Sequence, residues 1–288
     1  TPMAEPQGNR EHKDRLFLKV FEDKEALLSL YNAVNGSDYE NPEELEITTL
    51  DNVLYMRMKN DLSFLIDGSL NFYEHQSTFN PNMPLRGCFY MVKVYQEYVE
   101  RRQLDIYSST RLTLPTPRFI VFYNGTDRMK HMPELTLKLS DSFEKQEEEP
   151  ALECKARVIN INYGFNTEIM EKCPKLYEYS FLISKIREET SQGKKLEAAI
   201  GAAIDICVEE GILTDLLTSY RMEVIGMLLT EYDEERHLKN TYEEGVKKGQ
   251  KKGESIGEFR QLYKLIQKNF LTLHDAASAN SMTEEQLM

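Results

Sequence analysis

At 288 residues, with 41% hydrophobic and 29% charged side chains, the chain has room for one sizeable core and a smaller second unit. A net charge of −13 argues against a protein coated for nucleic acid, and no window approaches about eighteen consecutive apolar residues, which excludes an ordinary membrane-spanning helix. The four cysteines, Cys88, Cys154, Cys173 and Cys207, are scattered without a CxxC pair, so they read as small buried hydrophobes in a reducing, cytoplasmic setting rather than as zinc ligands.

Residues 1–11 are polar and are expected to be disordered, with no signal peptide visible; a chain that starts at Thr1 leaves room for an upstream piece. From Asp14 to Val34, Leu16, Phe17, Val20, Phe21, Leu27, Leu28, Tyr31 and Val34 recur at helical spacing, with Asp14 as a cap and Asn35-Gly36 as a stop. An acidic loop follows over 37–46. Ile47 to Met58 then reads as the first strand of a meander.

Lys59 to Thr78 is the most informative stretch. Two β-prone runs flank Asp67-Gly68, the residues that a two-residue type I′ hairpin turn demands. With that loop, Ile66 faces Ser69, Asp61 falls opposite Glu74, and Lys59 falls opposite Gln76. The period of two puts Asp61, Ser63 and Leu65 on one face with Leu70, Phe72, Glu74 and Gln76, and puts His75 on the other. Opposed acids cost about 0.2–1 kcal/mol. Either both sit at a solvated sheet end, or a hard divalent cation lies between them.

Pro84 suits the first turn of the next helix, whose stripe Leu85, Phe89, Val92, Tyr95 and Val99 is expected to face the core. Arg86 and Tyr90, four apart, share another part of its surface. Arg86 can clamp a phosphate bidentately or pair with a surface glutamate; Tyr90 can meet substrate or fill the core. Over 84–130 basic side chains outnumber acidic ones, including Arg101, Arg102 and Arg111, which face either a polyanion or water. Strands are expected at Phe119–Tyr123, ending in the Asn124-Gly125 turn, at Leu135–Leu139 and at Val158–Ile161, with an acidic loop at 141–153.

Helical spacing dominates 167–190, 194–210 and 212–231, broken by Gly193 and Gly211. Gly245, Gly249, Gly253 and Gly257 then recur every fourth residue, either letting two helices approach or marking a hinge or linker. Two short helices are expected over 259–288, with Thr283-x-x-Gln286 as a capping box. The division expected is a core over 12–165, a helical extension over 166–240 and a glycine-punctuated tail over 241–288. The tail offers a route to a homo-dimer.

Asp61, Glu74-His75-Gln76 and Arg86-x-x-x-Tyr90 together resemble the PD-(D/E)XK nuclease arrangement. The fuller string EHQSTFNPNMPLRGCFYMVKVYQ, with Asn60-Asp61 before the hairpin and FIVFYNG after it, resembles the recombination-promoting nuclease family, also described as transposase-like, over residues 10–165. The resemblance implies an α+β fold: a mixed sheet flanked by helices, a restriction-endonuclease-like core, and an all-helical C-terminal extension. It implies a Mg²⁺- or Mn²⁺-dependent DNA endonuclease serving recombination, DNA mobility or defence. Asp61 and Glu74 would hold the metal, Gln76 would act beside them, and Arg86 and Tyr90 would bind substrate.

Gln76 departs from the lysine of the motif and carries no charge; Lys59, opposite it, is the candidate replacement. Asp14, Glu22 and Glu25 are candidates for a further acid from the first helix. The rival reading is a catalytically degenerate nuclease fold that binds DNA or protein through its helical tail.

Overall fold

Asp67 and Gly68 both adopt positive φ, 45° and 68°, as a type I′ turn requires, and they close β2 (Asp61–Ile66) onto β3 (Ser69–Gln76). The computed structural model describes residues 15–47, 61–126, 128–129, 131–268 and 272–279. The hairpin register is the one the turn dictates: Ile66 pairs with Ser69 and Asp61 with Glu74. Lys59 and Asp14, and the expected strand beyond Ile47, lie outside the described residues.

The hairpin is the middle of a six-stranded sheet of order β1-β2-β3-β4-β6-β5 among the described residues. β1 (Glu46–Ile47) adds to β2 antiparallel. β3 pairs parallel with β4 (Thr116–Tyr123), and β4 pairs parallel with β6 (Lys155–Asn160). β5 (Glu134–Lys138) closes the far edge antiparallel to β6. The fold is thus α+β, a mixed sheet with helices on both faces and a helical C-terminal region.

β3 is buried along nearly its whole length because both faces are covered. On one face Leu65, Leu70, Phe72, Val121, Tyr123 and Val158 pack under α3 (Met83–Arg101). On the other, Phe64, Ile66, Tyr73, Ile120, Phe122 and Ile159 pack against α1 (Leu16–Val20), α2 (Lys24–Asn35), α4 (Thr167–Lys172), α5 (Pro174–Ser191), α6 (Leu196–Glu209), α7 (Thr214–Ser219) and the first turns of α8 (Arg221–Gln267).

Three expectations are corrected. The single helix expected over 14–34 is two. Asp23 accepts from the Ala26 N–H at 3.0 Å and starts a new helix, which ends at Gly36 in the left-handed conformation. On α3 the expected core stripe is outside: Leu85, Phe89 and Val92 are 41%, 53% and 51% exposed. The buried face is Met83, Gly87, Cys88, Tyr90 and Val94 instead, because the small Gly87 lets the helix settle on Phe119. A Cβ on Gly87 would lie 2.3 Å from that ring.

The boundary expected at residue 166 falls inside a compact unit that runs to Tyr232. The helices from Thr167 onward share one apolar cluster with the sheet, including Leu176, Leu182, Ile186, Ile200 and Ile204. Each such buried side chain is worth about 1.5–3 kcal/mol, so the helical region is packed on the sheet. The third correction is the helix expected over 167–190, which Pro174 breaks in two, while Gly193 and Gly211 turn the chain at positive φ.

The second unit, Asp233–Met288, contains the rest of α8 and α9 (Leu273–Ala279). The four spaced glycines lie within a continuous helix, and a Cβ at any of them would meet nothing within 4 Å. Thr272 caps α9 through the Asp275 N–H at 3.1 Å; Thr283 and Gln286 lie outside the described residues. No helix among the described residues is long and apolar enough to cross a membrane.

Candidate metal centre

The alternation of β3 sends Glu74 and Gln76 to the α3 side and His75 to the other. Glu74 is 1% exposed, so its charge must be met by nearby groups. Arg86, in the first turn of α3, places Nη2 at 2.9 Å from Glu74 Oε1, and the Gln76 amide donates to the same oxygen. The Ser77–Asn82 segment sets this geometry by reversing the chain between β3 and α3, so a strand-end acid meets a helix-start guanidinium twelve residues on in sequence. Asp61 is the backbone partner of Glu74, as the hairpin register requires. Its side chain lies outside the described residues.

Tyr90 sits beneath this group and is 2% exposed. Its ring meets Phe72 edge-on at 5.3 Å, and its hydroxyl lies 3.4 Å from Ser63 Oγ. As placed it supports the strands that carry the acids and offers little surface to a substrate. Glu22, an exposed partner of Lys19 at 3.3 Å, and Glu25, beside a surface depression with Asn32 and Lys172, are not brought to Glu74.

His75 faces α1 and α5. It stacks on Phe17 at 4.9 Å, and its Nε2 is 3.0 Å from the Tyr179 hydroxyl. Burial, then the charges of Arg15 and Arg187, hold its pKa well below the usual range, so the ring is neutral. Tyr179 also accepts from Asn124 Nδ2 at 3.1 Å, and burial drives its own pKa well above normal.

Asn124 opens the turn after β4, where Gly125 is required. A Cβ there would lie 2.3 Å from both the Ser77 carbonyl and the Tyr123 hydroxyl. This polar chain under the strand ends, with Arg187 and Asn162 at its far side, is what sequence reasoning missed. The asparagines that close β4 and β6 were the available signal; Arg187 gave none.

Carboxylate and amide groups of this kind suit oxygen-bound hard cations and the handling of a polar substrate. Among the described residues no group of three His, Cys, Asp or Glu side chains is arranged to hold a metal. Comparison with family models, curated proteins and solved structures finds no match to this chain.

Proposed function

We propose that the chain is a Mg²⁺- or Mn²⁺-dependent DNA endonuclease of the PD-(D/E)XK type. One observation carries the reading: the register sets Asp61 opposite Glu74, on a strand end where Gln76 and Arg86 both engage that carboxylate. The mixed sheet with helices on both faces supports it. So do the motif residues of the resemblance, Glu74, Gln76 and Arg86, which meet in space.

The donor set fits a hard divalent ion: a buried carboxylate, register-matched to a second acid position, that already draws a cation to within 2.9 Å. Such an ion, when bound, supplies Lewis-acid charge stabilisation and lowers the pKa of a bound water. Asp61 and Glu74 would hold it. Gln76 would orient the attacking water through its amide, with no part in proton removal. Arg86, 28% exposed, would exchange Glu74 for a phosphate oxygen and steady the charge that builds on phosphorus. Water attack with loss of the 3′ oxygen leaves a 5′-phosphate.

One observation favours a second reading, the degenerate nuclease fold that only binds. Glu74 is already neutralised inside the chain by Arg86, and Gln76 brings no charge. Plasmid DNA incubated with Mg²⁺, beside an Asp61→Ala control, separates the two. Nicking by the parent chain and none by the variant supports the enzyme; equal nicking, or none, counts against it.

A further inference from the structure

The parallel strands β3, β4 and β6 end side by side: Gln76 pairs with Tyr123, and Tyr123 with Asn160. Ligands of open α/β sheets bind in the crevice outside such carboxyl ends. Here β4 leads into Asn124-Gly125 and β6 into Ile161-Asn162, and α5 reaches over both connections with Arg187. Arg187 Nη1 donates to Asn162 Oδ1 at 2.6 Å, and Nη2 donates to the Asn124 carbonyl. The Asn124 N–H in turn donates to the Gln76 carbonyl at 3.1 Å. The guanidinium therefore stands two hydrogen bonds from the strand end that carries Glu74 and Gln76, approaching it from the opposite face.

Both groups that accept from Arg187 are neutral. Among the described residues no carboxylate pairs with it, whereas Arg86, Arg157 and Arg221 each have one within 2.9 Å. Arg111 and Arg118 also lack a carboxylate, but both are exposed to solvent, and Arg118 donates to Asn35 Oδ1 at 2.6 Å. Arg187 is half-buried, and a cation drawn out of water without a counter-charge is costly. Five N–H donors are more than two acceptors can use, and the fork is held in one orientation by Asn162 and Asn124. What fits such a group is an oxyanion.

We propose that Arg187 is an anion-binding residue that takes a phosphate oxygen of the DNA backbone beside the phosphodiester engaged at Glu74 and Arg86. The inference rests on the proposed DNA substrate and adds a second contact on the same strand end.

The affinity of the whole chain for a short fluorescent duplex, measured in EDTA over a range of salt, tests it. Arg187→Gln should weaken binding uniformly across sequences and reduce the slope of log K against log salt by about 0.9, while Arg187→Lys keeps the slope. An unchanged slope in a folded Arg187→Gln protein overturns the proposal, and so does a parent chain that binds no DNA. If glutamine fails to support the two connections, the Arg187 Nε–H resonance of the parent chain decides: it must shift on adding the duplex, and an unmoved resonance overturns the contact. Because no metal is present, the outcome is separate from cleavage. Metal-dependent plasmid nicking with an unchanged slope would keep the nuclease and remove this contact; a reduced slope without nicking would do the reverse.

Discussion

Arg86 Nη2 stands 2.9 Å from Glu74 Oε1, pairing a carboxylate that is 1% exposed with a guanidinium that is 28% exposed. One partner is locked in the sheet and the other has a way out to solvent. That asymmetry lets the arginine leave while the acid stays.

Arg86→Met should therefore be costly without metal. Removing one partner of a buried pair typically loses about 3–5 kcal/mol, because the remaining charge stays buried. Mg²⁺ should restore more stability to this variant than it adds to the parent chain, since it supplies the missing positive charge. Urea titrations with and without Mg²⁺ check the difference. Equal Mg²⁺ effects in both proteins would remove Glu74 from the ligand set.

Tyr90→Phe tests the substrate role assigned by resemblance. The hydroxyl it deletes is buried on Ser63, so the variant should lose about 1 kcal/mol of stability or less and keep the DNA affinity of the parent. A several-fold rise in the dissociation constant for duplex DNA, with the melting temperature unchanged, would show that Tyr90 reaches substrate.

Gly125→Ala should be destabilising by about 1–3 kcal/mol, the usual cost of overpacking, because its Cβ would press on the Ser77 carbonyl and the Tyr123 hydroxyl. Gly245→Ala, with open space around it in the middle of a helix, should instead gain up to about 1 kcal/mol. Thermal melts of the two variants should move in opposite directions.

Phe89→Ser and Val94→Ala compare the two apolar stripes of α3. The first, on the exposed side, should change stability by less than about 0.5 kcal/mol, and the second by roughly 1–3 kcal/mol. A reversed order would mean that the stripe Leu85, Phe89 and Val92 is the packed one.

These contrasts show which parts of the fold were legible in the sequence. The hairpin was, because its signals are local: a turn that only positive-φ residues make, and a period of two that carries the register to Asp61 and Glu74. The strand at Phe119–Tyr123 was legible from a different local signal, an unbroken β-prone apolar run that stops at Asn124-Gly125. The helix over 14–34 was misread because Asp23 is a cap in mid-pattern, and apolar spacing is blind to caps. On α3 two apolar stripes compete. The winner is chosen by the shape of Phe119 under Gly87, which lies on another element.

The centre divides in the same way. Glu74 and Gln76 could be placed from alternation, and Arg86 from its helix. Arg187 could not: its acceptors lie 63 and 25 residues away, and only the packing of α5 over the strand ends joins them.

The joint between β2 and β3 is also an unforgiving place for an insertion. If one added residue between Asp67 and Gly68 slipped the pairing by one place, every side chain of one strand would pass through to the reverse side of the sheet. The exposed run at 144–149 has no pairing to upset and can lengthen at little cost. Tolerance of length change in this protein is set by whether a loop counts residues for a strand.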